Sequence, residues 1–300
     1  RHLKEILHRQ ELKEYDILVA LNNPDTMGML MQTACAIAKK FEGEVIALNV
    51  VEIPHGTPLQ KGLTDFSKQR LLLSRAENFA RREQVKFDKL IKLSHRLSHG
   101  ILETAEEKDC NFIILGRSQP EKMLDRIFTT VVDMVLKEAP CNVAIVCGEK
   151  MDAVKRVVIT ATDNVNSQLA AELSPALAEK FNADLLVLHV IPPGSDAEEE
   201  ARARRWLDSF LEKADLKMKG ERRILKAQDP AKAIAEQIGE GDLLLMGTSK
   251  GGTIEKLLFK SVPEDVAQLS SAPMIIFKRF QPRGKWWLER LITGKKAVVK

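Results

Sequence analysis

The sequence predicts an α/β chain built as two doubly wound parallel sheets in tandem, and three observations predict it. Short apolar runs of strand length alternate with amphipathic helical stretches along the whole chain. The alternation occurs twice: YDILVAL at 15–21 matches RVVITAT at 156–162, and EVIALNVV at 44–51 matches DLLVLHVI at 184–191. Each half also has a strand that ends in glycine and passes through a small-polar turn into a helix. These stretches are NFIILGRSQPEKMLDRIFTT at 111–130 and DLLLMGTSKGGTIEKLLFKS at 242–261. The starting positions 15 and 156, 44 and 184, and 111 and 242 are offset by 141, 140 and 131, so the second copy is shorter in its middle. A period near 140 residues is far above that of solenoid repeats. The expected organisation is a lead-in over 1–14, domains over 15–148 and 155–278, and a tail over 279–300.

In chain order, Leu3, Ile6, Leu7 and Leu12 have the spacing of a short amphipathic lead-in helix. The first strand is 15–21. The stretch 22–26 reads as a turn with a capping residue, followed by a helix whose stripe is Met29, Leu30, Thr33, Ala34, Ile37 and Ala38, with Gly43 expected to stop it. The near-continuous apolar run 45–51 fits a parallel strand covered on both faces. A loop over 54–64, a helix over 65–83, a half-buried strand over 87–93 and a helix over 100–108 follow.

The second half repeats the order. Its loop 192–196 leads into the charged helix 197–214, whose apolar residues Trp206, Leu207, Phe210 and Leu211 form one stripe. A strand over 222–227 comes next, and Asp229-Pro230 opens a helix. The last strands, 142–146 and 274–277, are apolar sheet edges that bare would invite aggregation. They are expected to pair antiparallel with each other about a pseudo-twofold axis.

Composition excludes several classes. Hydrophobic content of 44% against 29% charged residues is that of an ordinary globular chain. No apolar run reaches the 18 or more residues of a membrane span, and the first residues contain no signal-peptide core. The first residue is Arg1, not Met, which suggests a piece of a longer protein. The net charge of +4 is unevenly placed: residues 278–300 hold eight Lys or Arg against Glu289, leaving the other 277 residues at −3. A nucleic-acid-binding body is therefore not expected. Cys35, Cys110, Cys141 and Cys147 have no metal-ligand or CxxC spacing and read as buried, reduced thiols of a cytosolic protein.

In doubly wound sheets, ligands sit beyond the carboxyl ends of the strands, where strand order reverses. That places Asn22 and Thr162, Val51 and Val190, and Gly116 and Gly247 around one crevice in each half. The aligned halves resemble the universal stress protein family in tandem form. That family's nucleotide loop has Gly, two residues, Gly, nine residues, Gly, then Ser or Thr. The corresponding positions here are Gly247, Lys250, Lys260 and Ser261, and Gly116, Gln119, Thr129 and Thr130. The spacing is kept twice, but only the first glycine of each loop remains.

The resemblance implies an adenine nucleotide, ATP or AMP, held without a metal of the protein's own. Its contacts would come from Thr162, Asp163, Val190, Gly247, Thr248, Lys250, Lys260 and Ser261 in the second half, and Asn22, Val51, Gly116 and Thr130 in the first. The family carries an aspartate at the end of its first strand. Asn22 and Thr162 replace it, with Asp163 one place on; these residues either bond a ligand or form turns and caps. Lys250 and Lys260 either stand in for backbone phosphate contacts or are solvated, and Pro120 removes an N–H donor from the first loop.

SHRLSH at 94–99 offers two His and an Arg for an anion or a pH response, against Ser98 as a plain helix cap. No Ser/His/Asp set, carboxylate pair or phosphate-loop lysine is present, so no enzyme is expected. The stretches 94–105, 127–146 and 257–266 resemble tandem copies appended to the cytosolic end of transporters, particularly amino-acid permeases. The implied partner is a transmembrane domain of the same polypeptide, with a homo-oligomer allowed. GKWWLERLITG at 284–294 puts Trp287, Leu288, Leu291 and Ile292 on one helical face, which suits either a membrane surface or the second domain. The alternative is a free-standing tandem stress protein that binds or slowly hydrolyses ATP.

Overall fold

The computed structural model describes residues 15–56, 65–117, 130–148, 150–214, 220–248 and 262–281. The lead-in 1–14, most of both glycine loops, and the tail from 282 onward lie outside the described residues, as do the expectations that fall on them.

The first half runs β1 (Asp16–Ala20), α1 (Pro24–Phe41), β2 (Glu44–Glu52), α2 (Ser67–Arg82), β3 (Lys86–Ser94), α3 (Leu97–Glu107), β4 (Phe112–Arg117), α4 (Thr130–Glu138) and β5 (Asn142–Cys147). The second runs β6 (Arg156–Thr160), α5 (Val165–Phe181), β7 (Asp184–Ile191), α6 (Ala197–Lys213), β8 (Glu221–Lys226), α7 (Pro230–Ala235), β9 (Asp242–Gly247), α8 (Val262–Leu269) and β10 (Met274–Lys278). The ten described strands form one sheet in the order β3-β2-β1-β4-β5-β10-β9-β6-β7-β8. Each half is thus parallel, and its order reverses between the first and fourth strands. Among the described strands, the one antiparallel contact is β5 with β10, Ile145 opposite Ile276, as the edge argument expects.

Each face of the sheet carries a core that runs through both halves. Helices α1, α2, α5 and α6 cover one, with Leu30, Leu73, Leu177 and Phe210 buried alongside Phe112 and Phe277. Those two rings meet edge to face at 6.4 Å across the junction between halves. Helices α3, α4, α7 and α8 cover the other face, burying Ile101, Val135, Ile234 and Val266. All four cysteines are free and buried, and burial pushes the Cys35 thiol up to about 12.

Three local expectations are corrected. Helix α1 begins inside the expected turn: Asn23 caps it by accepting from the Asp25 N–H, and Pro24 takes the first turn, where no N–H is needed. It ends on Glu42 in the left-handed region, φ 53°, and not on Gly43. Gly43 is required by space instead, since a Cβ there would overlap the Tyr15 carbonyl. Ser98 does not cap α3; Arg96 holds the cap position without a side-chain bond, and Ser98 is buried in the first turn.

Candidate functional site

The strand ends and the first turns of α1 and α5 meet where strand order reverses, and hydrogen bonds fix them there. In the second half Asn164 caps α5, accepting from the N–H groups of Asn166 and Ser167 at 2.9 and 2.8 Å. Its amide also donates to Thr162 Oγ1 at 2.8 Å. The Ser167 hydroxyl donates to the Thr160 carbonyl at 2.7 Å and accepts from the Thr162 N–H at 3.0 Å. Asn166 then bridges α5 to the segment after β9, donating to the carbonyl and hydroxyl of buried Thr248 at 3.0 and 2.7 Å and accepting from the Arg279 N–H at 2.9 Å. Arg279 in turn pairs with Glu172 on α5. Thr162 and Asp163 face solvent, and Val190 and Gly247 are half-buried.

The first half has a related but sparser frame. Asn49 is buried within β2 and donates to the Leu21 carbonyl at 2.6 Å and to Asn22 Oδ1 at 3.4 Å, and exposed Asn22 reaches the Val50 carbonyl at 3.4 Å. The matching position in the second half is His189, whose Nδ1 meets the Ala161 carbonyl at 2.9 Å. A carbonyl only accepts, so Nδ1 carries the proton. The His189 ring lies 4.4 Å from Trp206, which stacks on Phe210 at 5.4 Å. Burial pulls the His189 pKa below its ordinary value, against the opposing bond to Ala161.

The two glycines have a reason that needs no ligand. A Cβ on Gly247 would overlap the Ser167 backbone nitrogen and sit 2.5 Å from the Asn166 carbonyl carbon. A Cβ on Gly116 would lie 2.9 Å from Leu30 Cδ1 and 3.2 Å from Thr26 Oγ1. In both halves the helix after the first strand packs on the end of the fourth strand. At Gly247 the neighbour is helix backbone and only glycine leaves room for it, while at Gly116 it is the side chains of Leu30 and Thr26, which can shift.

Strand register also amends two sequence pairings, the first being the first strands, where Asp16 corresponds to Arg156 at an offset of 140 and not 141. Ala20 is opposite Leu48 and Thr160 opposite Leu188, so Val190 corresponds to Val50, while Val51 corresponds to Ile191 on the other face. Thr130 opens α4. Lys250, Lys260 and Ser261 lie outside the described residues. The histidine stretch is split: His95 Nδ1 donates to the Ile53 carbonyl at 3.0 Å and its ring stacks on exposed His55 at 5.2 Å. His99 instead points to Glu103 at 3.3 Å. Among the described residues no three His, Cys, Asp or Glu converge as a metal site.

Sequence reading passed over Asn49, His189, Asn166 and Ser167. A signal existed for the first two, since each is the single polar residue inside an otherwise apolar strand of matching sequence. The assembly offers hydrogen bonds and ordered helix starts.

Comparison with known proteins supplies the kinship. The model of the universal stress protein family matches twice, over residues 15–146 and 153–278. A Na+/H+ antiporter of Synechocystis sp. is 22% identical over 267 residues, 88% of this chain. The matched chain spans only 38% of that antiporter's length. That relative carries cations, where the sequence resemblance pointed to amino-acid permeases. A universal stress protein from Archaeoglobus fulgidus superposes with TM-score 0.61 at 17% identity, covering 88% of this chain and 96% of its own. The cytoplasmic domain of a prokaryotic cation chloride cotransporter does so with TM-score 0.61 at 15% identity, covering 89% and 96%.

Proposed function

The chain belongs to the universal stress protein family, and from that premise we propose that it is a non-catalytic regulatory module on the cytosolic side of a membrane transporter. The observation that carries this reading is the match of both halves together to a stretch of a Na+/H+ antiporter. The cotransporter domain of the same tandem fold is consistent with it. The transported solute is left to the membrane domain; a cation suits the antiporter relative, and an amino acid the sequence resemblance. Cell fractionation tests the reading. An antibody raised against the chain should detect a wash-resistant membrane band well above 33.7 kDa. A soluble band near that mass would return the protein to the free-standing class.

Within the module, the second half is the proposed adenine-nucleotide site. Exposed Thr162 and Asp163 and half-buried Val190 rim its crevice, and Lys250, Lys260 and Ser261 of the following loop would supply phosphate contacts. Lys260→Glu should weaken ATP or AMP binding and flatten its salt dependence. Calorimetry showing no heat from either nucleotide would leave the crevice a packing feature. The first half, with Pro120 in its loop, is expected to stay empty.

A further inference from the structure

We propose that the outward face of α2 docks this protein onto an anionic lipid surface. Helix α2 reads SKQRLLLSRAENFARR and packs inward through Leu72, Leu73, Ala76 and Ala80. Its opposite side is basic. Lys68, Arg75 and Arg82 are all exposed and recur every seven residues, so they form one row along about 21 Å of helix. Arg70 and Arg81 form a second row, and between the two stands Leu71, 56% exposed. The helix has one acid, Glu77, already engaged by Lys89 at 2.5 Å and Arg81 at 3.6 Å. Five cations against one acid leave the helix at +4, although residues 1–277 together sum to −3.

The second half provides an internal comparison. Helix α6 occupies the corresponding place, AEEEARARRWLDSFLEK, buried through Ala203, Leu207, Phe210 and Leu211. It carries five acids and four bases, a net of −1. The fold therefore does not demand cations at this position.

A straight pair of cationic rows flanking an apolar side chain fits a headgroup layer, where phosphates take the charges and Leu71 enters the acyl boundary. A nucleic-acid backbone would take the charges but offer Leu71 nothing to bury against. Docking through α2 turns the face covered by α1, α2, α5 and α6 toward the bilayer. The proposal does not depend on the transporter reading, because free protein and bare vesicles suffice to test it.

The test is co-sedimentation of the full chain with phosphatidylcholine vesicles, with and without phosphatidylglycerol. The basic residues beyond 278 are common to every variant, so differences report α2. Lys68→Glu with Arg75→Glu and Arg82→Glu should lower the partition coefficient on anionic vesicles by about tenfold or more. The matching glutamine triple, which guards against misfolding, should lower it less but in the same direction, and Leu71→Ser by roughly twofold. Arg202→Glu with Arg205→Glu on α6 should leave it unchanged. Partition of the triple variants equal to wild type, an equal loss from the α6 pair, or wild-type binding that ignores phosphatidylglycerol would each overturn the proposal. So would competition by a short DNA duplex that the wild type binds and the triple variants do not.

Discussion

Gly247 and Gly28 should respond to one added methyl group with opposite signs. At Gly247 the methyl meets the backbone of Asn166 and Ser167, atoms that cannot move without shifting α5, so Gly247→Ala should cost about 3 kcal/mol in urea unfolding. Gly28 lies inside α1 with nothing within 4 Å of a Cβ, and Gly28→Ala should stabilise by roughly 0.5–1 kcal/mol. Equal effects would show that packing is not why Gly247 is a glycine. His189 yields a pH prediction through its counterpart Asn49. Burial depresses the folded pKa, so the unfolded chain takes up the proton more readily and stability rises with pH. The contribution is full above the unfolded value of about 6.5 and is lost as pH falls through the folded one. His189→Asn keeps a donor for the Ala161 carbonyl, as Asn49 does for Leu21, and should flatten that acid slope in pH-dependent melting. The slope surviving in the variant would place its origin elsewhere. At this scale the sequence told less than elsewhere: a glycine after a strand reads alike whether a phosphate or a helix backbone fills the space, and Asn166 looks like any polar residue of a first turn.

At the scale of elements, the periodicities of 2.0 and 3.6 marked most of the described strands and helices: burial on both sheet faces leaves the apolar runs of the inner strands unbroken, whereas the outer strands β3 and β8 are only half-buried. Their ends were less legible, as with Glu42, since a left-handed residue need not be glycine when the next strand already fixes the exit. Cross-element polar contacts leave no mark in a single sequence, and Glu83 illustrates this. It follows α2 in the first half yet accepts from Lys180 of α5 in the second and from Lys39 of α1, while Lys180 lies 5.7 Å from the Phe79 ring. Burial pushes the Glu83 carboxyl up, but the bonds from Lys180 and Lys39 outweigh it and hold the pKa below its ordinary value. That stability is present above the unfolded value of about 4.3 and is lost as pH falls through the folded pKa. Glu83→Gln should cost about 1–2 kcal/mol at neutral pH, since the side chains keep some solvent, and less at pH ~3. Urea midpoints at the two pH values check this; a loss that stays constant with pH would mean the carboxylate charge is not what joins these helices.

The whole molecule depends on a junction that neither half can complete alone. Strand β10 pairs with β9 on one side and β5 on the other, Met274 facing Cys147 and Lys278 facing Val143 in the antiparallel pair. Without the first half, β10 would present a bare row of backbone donors and acceptors. It would also uncover Ile275 and Phe277 on one face and Met274 and Ile276 on the other, all at most 2% exposed in the intact chain. An edge of that kind recruits a partner strand. The available geometry is the one already used: since β5 and β10 end equivalent halves and pair antiparallel, two copies of β10 can pair in the same way about a true twofold axis. Residues 150–281 made alone should therefore sediment as a homodimer at micromolar concentration, while the intact chain has that edge already covered. A charge at the centre of the junction, Ile276→Asp, should dissociate the isolated half's dimer and destabilise the intact chain by at least about 3 kcal/mol, because Ile276 is buried against Ile145. Sedimentation equilibrium distinguishes the outcomes, and an isolated half that stays monomeric and folded would show that the tandem is held together by something other than its shared sheet.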